Sequence, residues 1–297
     1  MQSVQKRRWQ GVGAVLASGT GYAFMSILLK WAYSLEIGPI QVIALQSWTA
    51  SILLLGYTVL FKREVFRLTL RTLGFLIIQG VVGALGTSLL YAYALKYLPI
   101  SVAVLILYLY PAIVLLAGVV IWHRKVGRRE LAALCLTLSG TTLASGIFSG
   151  VGGVAWFGIC LGLAASISYA VFNLVGEVAL GEVSPLAAMC FSQWVCALAL
   201  LVILKGNVLS VAWQNPQTWE IGLSLATVSS IIPFYFILVG IERLGADQAA
   251  ILSTFELPMT FFMAAVFLKE FPAWDQLVGG ALVVLGIILL NWRRRVE

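Results

Sequence analysis

Glu256 is the residue whose type and position most clearly bear on chemistry. It stands near the middle of an apolar run from residue 247 to 268. A carboxylate at that depth in a bilayer costs at least a few kcal/mol unless it is paired, hydrated or protonated, so it must face a cavity or a partner. Two residues on, Pro258 lacks a backbone N–H and loosens the helical turn before it, freeing a carbonyl for a cation, hydroxyl or water. Two uses fit Glu256. It binds an amine or carries a coupling proton, or it holds helices together through a neighbouring hydroxyl or amide.

Aromatic and amide groups could complete such a site. Tyr22, Tyr91, Tyr108, Tyr110, Tyr169 and Tyr235 lie within apolar runs, where aromatic faces either hold an apolar side chain or organic cation or simply pack. Gln46, Gln79, Asn173 and Gln193 are amides in similar runs; each must bond across helices or face a cavity. The candidate substrate-binding set is Glu256, Tyr22, Tyr91, Tyr110, Tyr169, Gln79, Asn173 and Trp48. Pro111, Pro233 and Pro258 each remove a helix hydrogen bond and are candidate gating bends. Lys30 joins them, near the end of the first apolar run. It either snorkels to the interface or meets a substrate carboxylate, and an internal repeat described below pairs it with Glu177 as a possible gate.

Other chemistries lack support. His123 is the sole histidine and opens the basic run His123-Arg124-Lys125-Val126-Gly127-Arg128-Arg129, so a metal site is not expected. The cysteines, Cys135, Cys160, Cys190 and Cys196, sit in apolar runs without CxxC spacing and are expected as buried free thiols. No GxxxxGK[ST], GxSxG or HExxH pattern occurs, so neither a nucleotide cofactor nor enzymatic chemistry is expected.

The elements that must position these residues are membrane helices. Of the 297 residues, 61% are hydrophobic and 10% charged, with a mean hydropathy of +0.99. Soluble domains carry roughly 25% charged residues. The net charge of +7 is not a nucleic-acid stripe, because the charges punctuate apolar runs. Runs of about 20 apolar residues predict ten spans, near 10–32, 40–61, 72–95, 100–122, 130–147, 154–177, 185–204, 218–241, 247–268 and 274–292. The first run continues past signal-peptide length, so it is expected as a retained span. Trp9, Trp31, Trp122, Trp156, Trp219, Trp274 and Trp292 fall near span ends, as interfacial anchors do.

Lys and Arg divide unequally between alternate loops, 15 on the side of the N-terminus and 4 on the other. The 15 include Arg67, Arg124, Arg243 and Arg293 to Arg295; the 4 are Lys30, Lys96, Lys205 and Lys269. The bias predicts that both termini are cytoplasmic and that the span count is even. Anionic lipid contacts at the basic loops would follow.

The chain repeats at an offset of 146–147 residues. Pro39-Ile40-Gln41 answers Pro185-Leu186-Ala187, Gln46-Ser47-Trp48 answers Ser192-Gln193-Trp194, Tyr22-Ala23 answers Tyr169-Ala170, and Pro111 answers Pro258. The halves are expected at 1–148 and 149–297, together forming one membrane domain. Five spans per half, an odd number, would make the second half enter from the opposite side. Transporters with that architecture bind their substrate near the midplane.

The stretch Arg243-Leu244-Gly245-Ala246, Phe255-Glu256-Leu257-Pro258, Phe267-Leu268-Lys269-Glu270 and Leu277-Val278-Gly279-Gly280-Ala281-Leu282 resembles the second repeat of EamA-type members of the drug/metabolite transporter superfamily. Ala94-Leu95-Lys96-Tyr97 and Tyr110-Pro111 are a weaker counterpart in the first half. Lys269 departs from the family pattern, which more often has Gly before the Glu. The resemblance implies an all-α bundle of ten helices in a 5+5 inverted repeat. It also implies a central cavity lined by spans one to four and six to nine, and alternating access without ATP. The function expected is secondary transport of a small organic metabolite in the cell membrane, as in a bacterial inner membrane. An amino acid or organic amine is favoured as substrate, and export slightly favoured as direction. A lipid-like substrate reached sideways from the bilayer, or a non-transporting scaffold, are the alternatives. The partners expected are the substrate, membrane lipids and a coupling proton, with no nucleic acid.

Overall fold

The computed structural model describes residues 2–66, 68–145, 155–204 and 216–291, all in helices or their connections, with no strand among them. The expected 205–217 connection lies mostly outside the described residues, as do Arg67, Trp292 and the Arg293–Arg295 tail. The helices are α1 (Gln2–Ser34), α2 (Pro39–Phe61), α3 (Leu70–Ala94), α4 in two pieces (Ile100–Leu107 and Tyr110–Trp122) and α5 (Arg128–Ala144). There follow α6 (Trp156–Leu180), α7 (Pro185–Ile203), α8 (Pro216–Leu244), α9 in two pieces (Ala246–Ser253 and Glu256–Met263, the second continued by Ala264–Leu268) and α10 (Trp274–Asn291). Among the described residues nine helices are long and apolar enough to cross a membrane. The exception is α5, where a span was expected at 130–147. Its 17 residues reach about 26 Å, short of a hydrocarbon core of about 30 Å.

Helices dominate because lipid offers no hydrogen-bond partner, so each segment must satisfy its own backbone. The ladder departs from regular geometry at a few places. Wide turns interrupt α3 at Ile78–Leu85 and α8 at Thr227–Ile231, in equivalent positions of the two halves. Gln46 donates its Nε2 to the carbonyl of Ser229 in the second wide turn at 3.2 Å. Breaks fall at Tyr108-Leu109 and Thr254-Phe255, just before Pro111 and Pro258. Each proline thus sits in the first turn of a new helical piece, where its missing N–H costs nothing. Pro233 likewise opens the regular part of α8 directly after the wide turn.

Contacts across the halves repeat at the same offset. Gly11 of α1 approaches Leu244 at the end of α8 so closely that a Cβ would lie 2.8 Å from its Cγ. Gly158 of α6 approaches Leu98 after α3 in the same way, at 2.7 Å. Further along, Gly21 meets Pro233 and Gly83 meets Phe172, so α1 runs antiparallel to α8, and α6 to α3. Helix α1 also runs parallel to α9, with Gly19 against Glu256 and Phe24 against Phe267. Helix α6 runs parallel to α4, where Ser166 donates to the Leu107 carbonyl at 3.1 Å. The first helix of each half is therefore packed into the other half.

The remaining pairs are reciprocal. Helix α2 crosses α7, where Trp194 Nε1 donates to the Ser51 carbonyl at 3.2 Å and Ser51 Oγ donates to the Gln193 carbonyl at 3.2 Å. Helix α5 lies on α10, backbone against backbone at Gly140 and Gly279, where a Cβ on Gly140 would come within 2.6 Å of the Gly279 carbonyl oxygen. Small residues allow this approach, which replaces a hydrophobic driving force that lipid does not supply.

Trp9, Trp31, Trp122, Trp156, Trp219 and Trp274 are all exposed. The four cysteines are free, but only Cys190 and Cys196 are buried. Cys135 and Cys160 face outward, because an apolar outer face suits lipid as well as a core does.

Candidate functional site

The break in α9 sets the site. Glu256 is the first residue of the second helical piece, so its side chain leaves the helix at a discontinuity, beside Gly19 of α1. A Cβ on Gly19 would lie 3.1 Å from the Glu256 backbone nitrogen, so any larger residue would push α1 and α9 slightly apart. Thr260 Oγ1 donates to the Glu256 carbonyl at 2.8 Å. The Glu256 carboxylate itself has no hydrogen bond or ion pair with any described residue, although it lies deep along α9 and is only partly exposed.

Five phenols surround it. Tyr22 of α1, Tyr91 of α3, Tyr108 at the α4 break, Tyr110 just after that break and Tyr169 of α6 all lie within electrostatic reach of Glu256. The rings of Tyr110 and Tyr169 are 4.2 Å apart, and those of Tyr108 and Tyr110 6.3 Å apart. Tyr110 is held from the opposite half: its hydroxyl donates to the Ala250 carbonyl at 3.2 Å and bonds with Ser253, both on the first piece of α9. Helix α4 is thereby tied to α9 at the level of both breaks. Tyr169 leads to Phe172 at 5.9 Å and on to Phe234 at 5.2 Å, an aromatic ridge toward α8. Tyr22, Tyr91, Tyr169 and Glu256 are each half-buried, whereas Tyr108 and Tyr110 are buried. These partly accessible phenols and the carboxylate gather at the level of the two helix breaks, on elements of both halves.

The other sequence candidates are placed elsewhere. Gln79 is fully buried and spends both ends of its amide on helix contacts. Its Nε2 donates to the Phe172 carbonyl at 3.3 Å, and its Oε1 accepts from Ser192 at 2.8 Å. Asn173 lies one turn beyond Tyr169 and donates to that residue's carbonyl at 2.8 Å, leaving its Oδ1 buried without a partner among the described residues. Trp48, on α2, is half-buried with an Nε1 that has no described partner. Lys30 forms an ion pair with Glu270 at the far end of α1. The Pro233 carbonyl accepts from Ser18 of α1 at 2.8 Å, which fixes the start of the regular part of α8. Tyr235 is exposed. His123 is exposed and closes α4 in a left-handed conformation, φ 51°.

Ser253 and Tyr108 belong to the site's frame but were not in the substrate-binding set. The repeat could have supplied Ser253 only through a three-dimensional pairing of α4 with α9, because a serine in an apolar run has no distinctive spacing. Two surface depressions lie away from Glu256. One, of about 300 Å³, runs between α2 and α8 and is lined by Thr49, Ile52, Leu53, Trp219, Glu220 and Leu223. The other is lined by Thr69, Arg71, Thr72, Glu182 and Val183.

The model of the EamA-like transporter family matches this chain twice, over residues 9–146 and 156–292. The chain belongs to that family. The EamA repeats so placed contain the two broken helices, one each. A protein of Archaeoglobus fulgidus named "Uncharacterized transporter" is 28% identical over 205 residues, 68% of this chain and 71% of that protein. A "Probable terminal-alkyne amino-acid exporter" of Streptantibioticus cattleyicolor is 23% identical over 225 residues, 75% of this chain and 74% of that one. A crystal structure with TM-score 0.78 covers 96% of both chains at 19% identity, a likeness of fold. This EamA protein is thus a multi-helix membrane protein of a transporter family, as the drug/metabolite resemblance implied.

Proposed function

We propose that this protein carries a small amine-bearing metabolite, an amino acid or an organic amine, across the cell membrane by alternating access, with Glu256 as the group that meets the ammonium. The protein acts as a carrier and not as an enzyme. One observation supports this above the others: at a helix break, a carboxylate with no hydrogen bond or ion pair to any described residue lies within electrostatic reach of five phenols contributed by both halves. A cation over aromatic faces is held by the ring quadrupoles, and a desolvated carboxylate adds charge. The same carboxylate can take a proton when the substrate leaves, which would couple the two fluxes. The related exporter of an amino acid supports both the substrate class and outward direction.

In this reading ten segments, α5 among them, cross the membrane as two oppositely entering sets of five. Both termini face the cytoplasm because the basic loops lie on their side. The membrane is a bacterial inner membrane. One observation favours a second substrate class. The depression between α2 and α8 exposes mostly apolar surface, with Thr49 and Glu220 beside Ile52, Leu53, Trp219 and Leu223, which would suit a lipid-like substrate.

A thermal-shift screen of the purified protein with proteinogenic amino acids and simple organic amines tests the first reading, because a ligand that binds only the folded state raises its apparent stability. At least one amine is expected to stabilise the wild type and to lose its effect in Glu256→Gln. Stabilisation by lyso-lipids alone would favour the depression between α2 and α8.

A further inference from the structure

Three ion pairs lie at opposite ends of the bundle, and two of them, Arg124–Glu177 and Lys30–Glu270, occupy equivalent positions in the repeat with their charges exchanged. At the end bearing the N-terminus, Arg124 follows α4 and bonds to Glu177 near the end of α6 at 2.9 Å and to Asp247 at the start of α9 at 2.9 Å. At the other end, Lys30 of α1 pairs with Glu270, which follows α9. Lys30 and Glu177 are 147 residues apart, and Arg124 and Glu270 are 146 apart, so each pair is the image of the other.

The local cause is also duplicated. His123 and Lys269 both adopt left-handed backbone conformations, φ 51° and 56°. The next N–H then turns back to a carbonyl six residues earlier: Arg124 to Gly118 at 3.2 Å and Glu270 to Ala264 at 3.2 Å. These helix-ending turns aim Arg124 at α6 and Glu270 at α1. Every cation of the two pairs lies in the first half and every anion in the second. Neither lock can therefore close within one half; each closes only between them.

We propose that these are two opposed locks: Arg124 with Glu177 and Asp247 holds one face shut while the Lys30–Glu270 end opens, and the reverse. The proposal rests on the alternating-access reading of the transport site. The locks are unequal. Side-chain exposures are 30%, 24% and 19% for Arg124, Glu177 and Asp247, but 50% and 59% for Lys30 and Glu270. Glu177 Oε2 and Asp247 Oδ1 are buried without a described partner, so Arg124 is the cation both carboxylates depend on. Removing one member of a shielded pair leaves charge uncompensated, whereas an exposed pair is screened by water. Both locks are closed in this structure, and the more exposed Lys30–Glu270 lock is the one that opens more readily.

Hydrogen–deuterium exchange on the full chain in nanodiscs tests this through its sign. Arg124→Gln should raise exchange several-fold at the N-terminal-face ends of α4 and α6 and lower it at the Lys30–Glu270 ends of α1 and α9. Lys30→Gln should do the opposite, and more weakly. Glu177→Gln, a smaller change, should follow Arg124→Gln in direction if that variant folds poorly. Lys30→Glu, which sets two carboxylates against each other, should shift exchange in the same direction as Lys30→Gln and further, and adding Glu270→Lys should return exchange at both faces to wild type. Loosening confined to the altered end, with the far end unchanged, would overturn the locks, because a merely structural contact does that. So would failure of the exchanged pair to recover. Reciprocal shifts in a protein that moves no solute would keep the locks and remove the transport reading. Amine flux without reciprocal shifts would remove the locks and keep transport.

Discussion

At the residue scale, Glu256 and Lys269 differ in how much of their role the chain announces. Glu256 stands out in sequence because a carboxylate in an apolar run is expensive and therefore has a reason to be there. What surrounds it does not stand out: Tyr108, Tyr110, Tyr169 and Ser253 meet only because α4 and α9 break at the same level. Lys269 was visible as a departure from the family's glycine, and its φ of 56° gives the reason the family prefers glycine there. A left-handed non-glycine residue costs about 1–2 kcal/mol. Lys269→Gly is expected to raise stability by up to about 1 kcal/mol with Glu270 still in place, measured by thermal melting in detergent. Tyr110→Phe removes the hydroxyl that bonds Ser253 and the Ala250 carbonyl. It is expected to cost about 1–2 kcal/mol, because buried acceptors then lose a donor. An unchanged melting temperature would show that the tie between α4 and α9 carries little.

At the element scale, the prolines were legible and the wide turns were not. Pro111, Pro233 and Pro258 mark places where a helix cannot continue its hydrogen bonding, and the breaks or wide turns come directly before all three. A wide turn adds one residue to a helical ring with hardly any change in apolar pattern, so Ile78–Leu85 and Thr227–Ile231 read as ordinary helix. Helix α5 is described over Arg128–Ala144, and residues 146 and 147 of the span expected at 130–147 lie outside the described residues. Replacing Pro111 or Pro258 by Ala would allow the two pieces to join. Each variant is expected to keep or gain stability and to lose turnover, read as flux at saturating substrate against thermal melting. Gly140→Leu should have the opposite character, lowering the melting temperature sharply by forcing α5 from α10.

At the scale of the whole molecule, the offset of 146–147 residues foretold more than any motif. It paired Lys30 with Glu177 and Pro111 with Pro258, and the structure places these residues at corresponding points. It did not reveal that α1 is packed into the second half and α6 into the first, because exchange of helices leaves no trace in periodicity. Nor did it reveal Arg124, Asp247 and Glu270 as partners; a basic loop residue reads as a topology determinant whatever it bonds. With the repeat mates Lys30→Cys and Glu177→Cys in a chain whose own cysteines are replaced, a membrane-impermeant thiol reagent is expected to label the two from opposite sides of the membrane. Labelling from one side would contradict the oppositely entering halves. The central claim, that the phenol-walled carboxylate is where an amine crosses, is tested most directly by counterflow of radiolabelled amino acids and amines into proteoliposomes. Wild type should exceed empty vesicles, and Glu256→Gln should fall about tenfold or more while melting as before. Equal flux by wild type and Glu256→Gln would contradict it.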